Sequence, residues 1–256
     1  MAPRGKKPKN NPEPPVAVET EIYEHKPLLL LKNDVIFKMI FGDERNKSIL
    51  KAFLLSVLDL PEEEYDEIDI IDPHLRVDSP NEKLGILDVH IRTKGGRLLD
   101  VEIQVARTPF IKERITGYTG KMLGVQLVVG EEYIEMKKVI TIVILDYNLI
   151  EDSDCFHNKY VLYDAKTGSL FTDIMEIHTL EMRKIPKMPE NTPDMDEKTR
   201  QQILWLKFIR SEREEEVKML AAENPEIQKA YGVLKKLSED EQVRLLYESR
   251  EKAIRD

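Results

Sequence analysis

The chain has 256 residues, of which 41% are hydrophobic and 34% charged, with a formal net charge of -9. That composition suits one mixed globular domain with exposed charged helices and an extension. No apolar run reaches the roughly 18 residues of a membrane-spanning helix, so no membrane partner is expected. The single cysteine, Cys155, rules out a disulfide within the chain.

The first 26 residues are rich in Pro, Lys and Asn, and read as a disordered tail. They contain no apolar h-region of a secretory signal, and the expected location is cytoplasmic. The acidic balance argues against a surface that grips nucleic acid everywhere. It leaves room for a local basic groove, and metal-binding acids would themselves add negative charge.

Next comes "KNDVIFKMIFGDERNKSILKAFLLSVLDL". Val35, Ile36, Met39 and Ile40 recur at helical spacing. Asn33 or Asp34 can cap that helix, and Gly42 can end it. A second helix is expected over 45–58, stopped by Pro61. "YDEIDIIDPHLRV" reads as a strand ending at Pro73. A hairpin follows over 85–105, then a helix from near Pro109 to Gly130. The nearly all-apolar run 137–145 suits a strand buried on both faces. Two further strands flank the turn "AKTG". This order predicts an α/β core, a mixed sheet flanked by helices. Residues 27–185 would form that domain and 186–196 a linker. Residues 197–256 would form a C-terminal helical extension, with helices over 197–222, 225–237 and 239–254. Ser238 and Glu241 read as a capping box.

The hairpin "GILDVHIRTKGGRLLDVEIQV" carries the chemistry. Side chains alternate across a strand. Leu87, Val89 and Ile91 share one face with Leu99, Val101, Ile103 and Val105. Asp88 and His90 then lie with Asp100, Glu102 and Gln104 on the other. Only a three-residue loop over 94–96 keeps every apolar residue on one side, because a one-residue slip would turn the core set toward water. That register sets Asp88 opposite Glu102 and His90 opposite Asp100. Opposed residues have Cβ atoms about 4.5–5.5 Å apart, so the two carboxylates need a counter-charge or a proton. A Mg²⁺ shared by Asp88 and Glu102, with waters and a substrate phosphate, answers that need. The plainer reading is a solvated acidic face on an edge hairpin. His90 is expected to pair with Asp100.

The next segment is basic. Arg107, Lys112, Arg114 and Lys121 face a single acid, Glu113, and Arg114 and Tyr118 share a helix face at i, i+4. Cations beside a metal-acid cluster suit a phosphodiester substrate. Arg114 could equally neutralise Glu102. Trp205, within "QILWLKFI", reads as core. Cys155 is assigned no role.

Taken in order, "DVIFKMIFG", "NKSILKAFLLSVL", "LDVHIRTKGGRLLDVEIQV", "FIKERITGYTGKMLGVQLVVGEEY" and "VITIVIL" resemble the PD-(D/E)XK nuclease family transposases. These are relatives of the recombination-promoting nuclease (Rpn) proteins. The tail "NPEIQKAYGVLKKLSEDEQVRLLYESREKAIRD" resembles them too, so the likeness covers about 29–256. It implies a restriction-endonuclease-like core whose first strand acid is Asp88 and whose second is Glu102. Gln104 stands where the superfamily's motif has lysine, although similar proteins in this branch also carry E-x-Q. Asp34 or Glu44 could supply the further acid that the superfamily often takes from its first helices, while Asp34 with Lys38 also reads as a cap and a surface pair.

The resemblance implies a Mg²⁺-dependent (or Mn²⁺-dependent) endonuclease acting on DNA, associated with transposition or recombination. Asp88 and Glu102 would hold the metal, Gln104 a water or phosphate, and Arg114, Tyr118 and Lys121 the substrate. A double-strand cut would call for two sites and hence a homodimer. The competing reading is a nuclease-fold module that has lost turnover and binds DNA or a protein partner. A phosphatase or RNase on the same acids is a third.

Overall fold

The computed structural model describes residues 26–74, 87–127, 132–186 and 195–255. All but the last residue of the tail read over 1–26, most of the 186–196 linker and a helix end at Gly130 lie outside them.

Helix α1 (Asp34–Phe41) opens at Asn33, whose side-chain oxygen accepts the Val35 N–H at 3.0 Å. It closes at Gly42, whose N–H bonds the Lys38 carbonyl. Of the two candidate caps, Asn33 takes the role, and the Asp34 carboxylate is left for another partner. A 3-10 turn (Glu44–Asn46) leads into α2 (Lys47–Val57), which ends before Pro61. Strands β1 (Asp69–Ile71), β2 (Val89–Arg92) and β3 (Leu98–Gln104) follow, then α3 (Ile111–Gly124) and β4 (Val139–Leu145). The last strands are β5 (His157–Tyr163) and β6 (Leu170–Glu181), joined through a turn in which Gly168 takes φ 72°.

The six strands make one mixed sheet in the order β1-β2-β3-β4-β6-β5. β3, β4 and β6 run parallel, and the other neighbours are antiparallel. A parallel step needs a crossover, and α3 provides it between β3 and β4. Pairs Val89–Val101, His90–Asp100 and Ile91–Leu99 fix the hairpin register. It is the register that the apolar pattern demanded, with the loop at 94–96 and Gly96 at φ 83°.

Alternation sorts the core. Leu99, Val101 and Ile103 of β3 and Ile140, Ile142 and Ile144 of β4 face α1, α2 and the C-terminal helices. Leu98 and Val139, with Val143 and Leu145, face α3. Leu87 departs from the alternation. It precedes β2, its N–H bonds the Pro73 carbonyl, and it packs with Leu98, Met122 and Val139 on the α3 side.

The C-terminal region holds α4 (Glu197–Arg210), α5 (Glu214–Glu223), α6 (Pro225–Glu239) and α7 (Glu241–Arg255). The single helix expected over 197–222 is two, because the chain turns extended at Ser211 and Arg213. Ser238 is not a cap. It is buried in α6, accepts the Leu29 N–H and donates to the Leu234 carbonyl. Asp240 caps α7 by accepting from Gln242 and Val243. These helices share one apolar cluster with α1, α2 and the sheet. Trp205 sits at its centre, 1% exposed, edge-on to Phe41, Phe53 and Phe208. Such pairs add about 0.5–1.5 kcal/mol each beyond area burial.

Candidate active site

The acids on β3 are not on a wet face. β1 pairs outside β2, so the hairpin lies inside the sheet, and α3 covers its polar side. Asp100 is fully buried and Glu102 is 3% exposed. The solvated edge-hairpin reading is therefore excluded. A buried acid without a partner is costly, so the surroundings of each carboxylate matter.

Asp88 lies one residue before β2. Its Oδ2 accepts the Ile103 N–H at 3.0 Å, and its Oδ1 is 2.9 Å from the Lys38 ammonium. The first contact locks the carboxylate beside β3, and the second brings a helix-α1 cation onto it. Glu102 is 3.6 Å from the Arg114 guanidinium and accepts a long bond, 3.4 Å, from the Gln104 amide. Burial and the nearby charge of Asp88 push the Glu102 carboxyl up to about 7, against the pull of Arg114. Asp100, two residues earlier on the same face, has neither oxygen hydrogen-bonded to a donor. Burial, with Glu102 and Asp88 beside it, raises its carboxyl well above the usual range.

His90 and Asp100 face each other in register but do not pair. His90 Nδ1 is 3.0 Å from the Asp72 carbonyl, which requires a proton on that nitrogen. Burial lowers the basicity of the ring.

An open cleft of about 760 Å³ receives these groups. Of the residues singled out from sequence, Asp88, Glu102, Gln104, Arg114, Tyr118 and Asp34 line it. Lys121 and Glu44 do not. Lys121 belongs to the last turn of α3, beyond Tyr118. Glu44 bonds Lys47 at 2.6 Å and accepts the Ile70 N–H, away from the cleft. The expected Asp34–Lys38 surface pair is also replaced. Asp34 binds Arg250 of α7 at 2.8 Å, and Lys38 turns to Asp88.

Arg107, read from sequence as part of the basic segment, also lines the cleft, and Lys38 and Arg250 are cleft residues that the sequence did not single out for the site. Lys38 had a signal, since at i, i+4 it shares the face of Asp34. Arg250 had none, because it meets α1 only through packing across 216 positions. The cleft thus sets three carboxylates, Asp34 and the opposed Asp88 and Glu102, against four cations, Lys38, Arg107, Arg114 and Arg250.

Among the described residues no cluster of three or more His, Cys, Asp or Glu side chains is arranged to hold a metal as it stands. Two carboxylates are what Mg²⁺ commonly takes from protein, the rest being water and phosphate. The partnerless buried oxygens of Asp100 beside Glu102 are those of an acid group short of positive charge. The donor set fits a hard divalent cation.

Comparison with known families decides the lineage: the description "PD-(D/E)XK nuclease family transposase" matches residues 31–256. The chain belongs to that family. Its six-stranded mixed sheet with flanking helices is accordingly the restriction-endonuclease-like α/β fold. Neither a curated protein nor a solved structure gave a match. The match to this family takes in α4 to α7 as well as the sheet, and α7 contributes Arg250, Ala253 and Ile254 to the cleft. No helix among the described residues is long and apolar enough to cross a membrane.

Proposed function

We propose that the protein is a metal-dependent DNA endonuclease that hydrolyses a phosphodiester bond in the cleft of Asp88 and Glu102. One observation carries this reading. The opposed carboxylates share their cleft with four cations, Lys38, Arg107, Arg114 and Arg250, so a single surface offers ligands for a divalent ion and neutralisation for a polyanion. Asp88 and Glu102 would hold the ion, Mg²⁺ first and Mn²⁺ as its substitute. When bound, it would polarise the phosphoryl group and lower the pKa of water.

The chain's own groups do the positioning. The Ile103 N–H fixes the Asp88 carboxylate, and Arg114 restrains Glu102. Gln104 and Tyr118 offer hydrogen bonds to a water or a phosphate oxygen. Arg107 and Arg250 hold the flanking phosphates. The association with transposition or recombination follows the family. Asp34 is held by Arg250 and serves as a supporting acid.

The test is plasmid nicking by purified protein with Mg²⁺, Mn²⁺, Ca²⁺ or EDTA, beside Glu102→Ala. Expected is cleavage that needs Mg²⁺ or Mn²⁺ and disappears in the variant. Cleavage surviving in Glu102→Ala would sink the assignment. The neutral Gln104 supports a second reading, a nuclease-fold module that binds DNA or a protein without turnover. Tight binding without cleavage under every metal would favour it.

A further inference from the structure

We propose that Lys38, on helix α1, supplies at the scissile phosphate the positive charge that the E-x-Q sequence of β3 lacks. The proposal rests on the nuclease reading above.

Gln104 leaves the strand position without a cation. Its amide approaches Glu102 at 3.4 Å but carries no net charge. Lys38 reaches the same acids from the opposite wall. Its ammonium is 2.9 Å from Asp88 Oδ1. The α1 cap at Asn33 and the buried Ile36, Phe37, Ile40 and Phe41 hold the helix firmly against the sheet. Lys38 itself is 39% exposed and lines the cleft, so a long flexible stem presents its head where substrate enters.

The other cleft cations make their contacts away from Asp88. Arg107 bonds the Asn148 carbonyl and lies over the Tyr147 ring. Arg250 is held by Asp34, and Arg114 lies against Glu102, the second acid. Lys38 alone of the four contacts Asp88, the first acid.

A bound ion at Asp88 and Glu102 would displace the ammonium from Asp88 by like-charge repulsion. A phosphate oxygen is then its natural partner. In hydrolysis the water oxygen bonds to phosphorus as the bond from phosphorus to the leaving oxygen breaks. The water proton passes to solvent, and the leaving oxygen takes a proton from solvent. Lys38 remains charged throughout and stabilises the extra negative charge on the phosphoryl oxygens.

The experiment compares wild type, Lys38→Met, Lys38→Arg, Gln104→Lys and the double variant Lys38→Met/Gln104→Lys. Three quantities are read: single-turnover cleavage with Mn²⁺, DNA affinity with Ca²⁺, and Mn²⁺ affinity by calorimetry, with melting curves to verify folding. Lys38→Met should lose about 100-fold or more in single-turnover rate. DNA affinity should change by less than about threefold, since Arg107 and Arg250, which hold the flanking phosphates, are untouched. Mn²⁺ should bind more tightly, because a competing charge is gone from Asp88. Lys38→Arg should keep at least a tenth of the wild-type rate, and lysine at 104 should restore the double variant. Lys38→Met cutting as wild type overturns the proposal while leaving the nuclease reading intact. So does a loss seen wholly in DNA affinity, or a double variant no better than Lys38→Met. A wild type that cuts no nucleic acid with any metal overturns the nuclease reading, and the proposal with it.

Discussion

Arg250 Nε donates to Asp34 Oδ1 at 2.8 Å, joining α7 to the first turn of α1 across the mouth of the cleft. The pair is partly exposed, so its direct worth is about 0.5–1 kcal/mol. Its larger effect is positional. Arg250→Ala should lower the melting temperature only slightly but weaken DNA binding about three- to tenfold, with a smaller salt dependence by about one counter-ion. Fluorescence anisotropy at several salt concentrations would check this. An unchanged salt slope would remove Arg250 from the substrate path.

Asp100 is an unpaired buried acid beside two others. Because its carboxyl is raised in the folded state, the fold binds that proton more tightly than the unfolded chain does. Stability from this group is therefore greatest at low pH and falls as pH rises above the usual carboxylate range. Asp100→Asn removes the penalty at nearly constant shape. It should stabilise the metal-free protein at pH 8 by roughly 1–3 kcal/mol, with a smaller gain at pH 5. Denaturant melts at both pH values would decide; a variant less stable at pH 8 would mean that the carboxylate has a counter-charge.

A second polar chain runs beneath α4. Gln202 donates to His157 Nδ1, His157 Nε2 is 2.7 Å from His178 Nδ1, and His178 Nε2 is 2.7 Å from Glu176 Oε1. Burial, with His178 adjacent, lowers the His157 ring to about 4. Lys198, Asp59, Lys159 and Lys138 are the charged groups around this chain. A depressed histidine favours the fold above its unfolded value near 6.5, and that contribution is lost as pH falls toward 4. After allowance for partial exposure the loss is on the order of 2 kcal/mol. The melting temperature of wild type should drop between pH 6.5 and 4 more steeply than that of His157→Gln. Parallel curves would refute it.

Phe110 precedes α3 with φ 59° and ψ 31°, a left-handed backbone, while its ring is 77% exposed. Such a conformation costs a non-glycine residue about 1–2 kcal/mol, and the exposed ring recovers little of that by burial. Glycine there gives back part of the gain as unfolded-state entropy. Phe110→Gly should stabilise by about 0.5 kcal/mol. A loss of more than about 1 kcal/mol by denaturant titration would show that the ring has an unseen packing role.

Much of this was readable in the residues. The hairpin register followed from parity alone: Val89, Ile91, Leu99 and Val101 can share the core only when Asp88 approaches Glu102. The nearly all-apolar 139–145 strand is fully buried in the sheet interior, as its composition required. What parity could not reveal was depth. A run of Asp, Glu and Gln on alternate positions looks solvated until α3 is laid over it, and that packing depends on the whole chain. The break at 211–213 was hidden because "SEREEEV" is as helix-compatible as its flanks. Ser238 misled because a hydroxyl three residues before Glu241 fits a cap as well as it fits a bond back to Leu234. Lys38 was read with Asp34 because local spacing identifies neighbours on a helix and says nothing of a carboxylate 50 positions later in the chain.

The contact of α7 with α1 has a temporal side. A chain made from its N-terminus completes the sheet, the acids and α1 well before Arg250, Ala253 and Ile254 emerge. Until then the cleft has no third wall, and Asp34 has no arginine. Assembly of the site is thus coupled to the synthesis and docking of α7. A product truncated before α7 would carry the two acids yet lack the wall that Arg250, Ala253 and Ile254 add to the cleft.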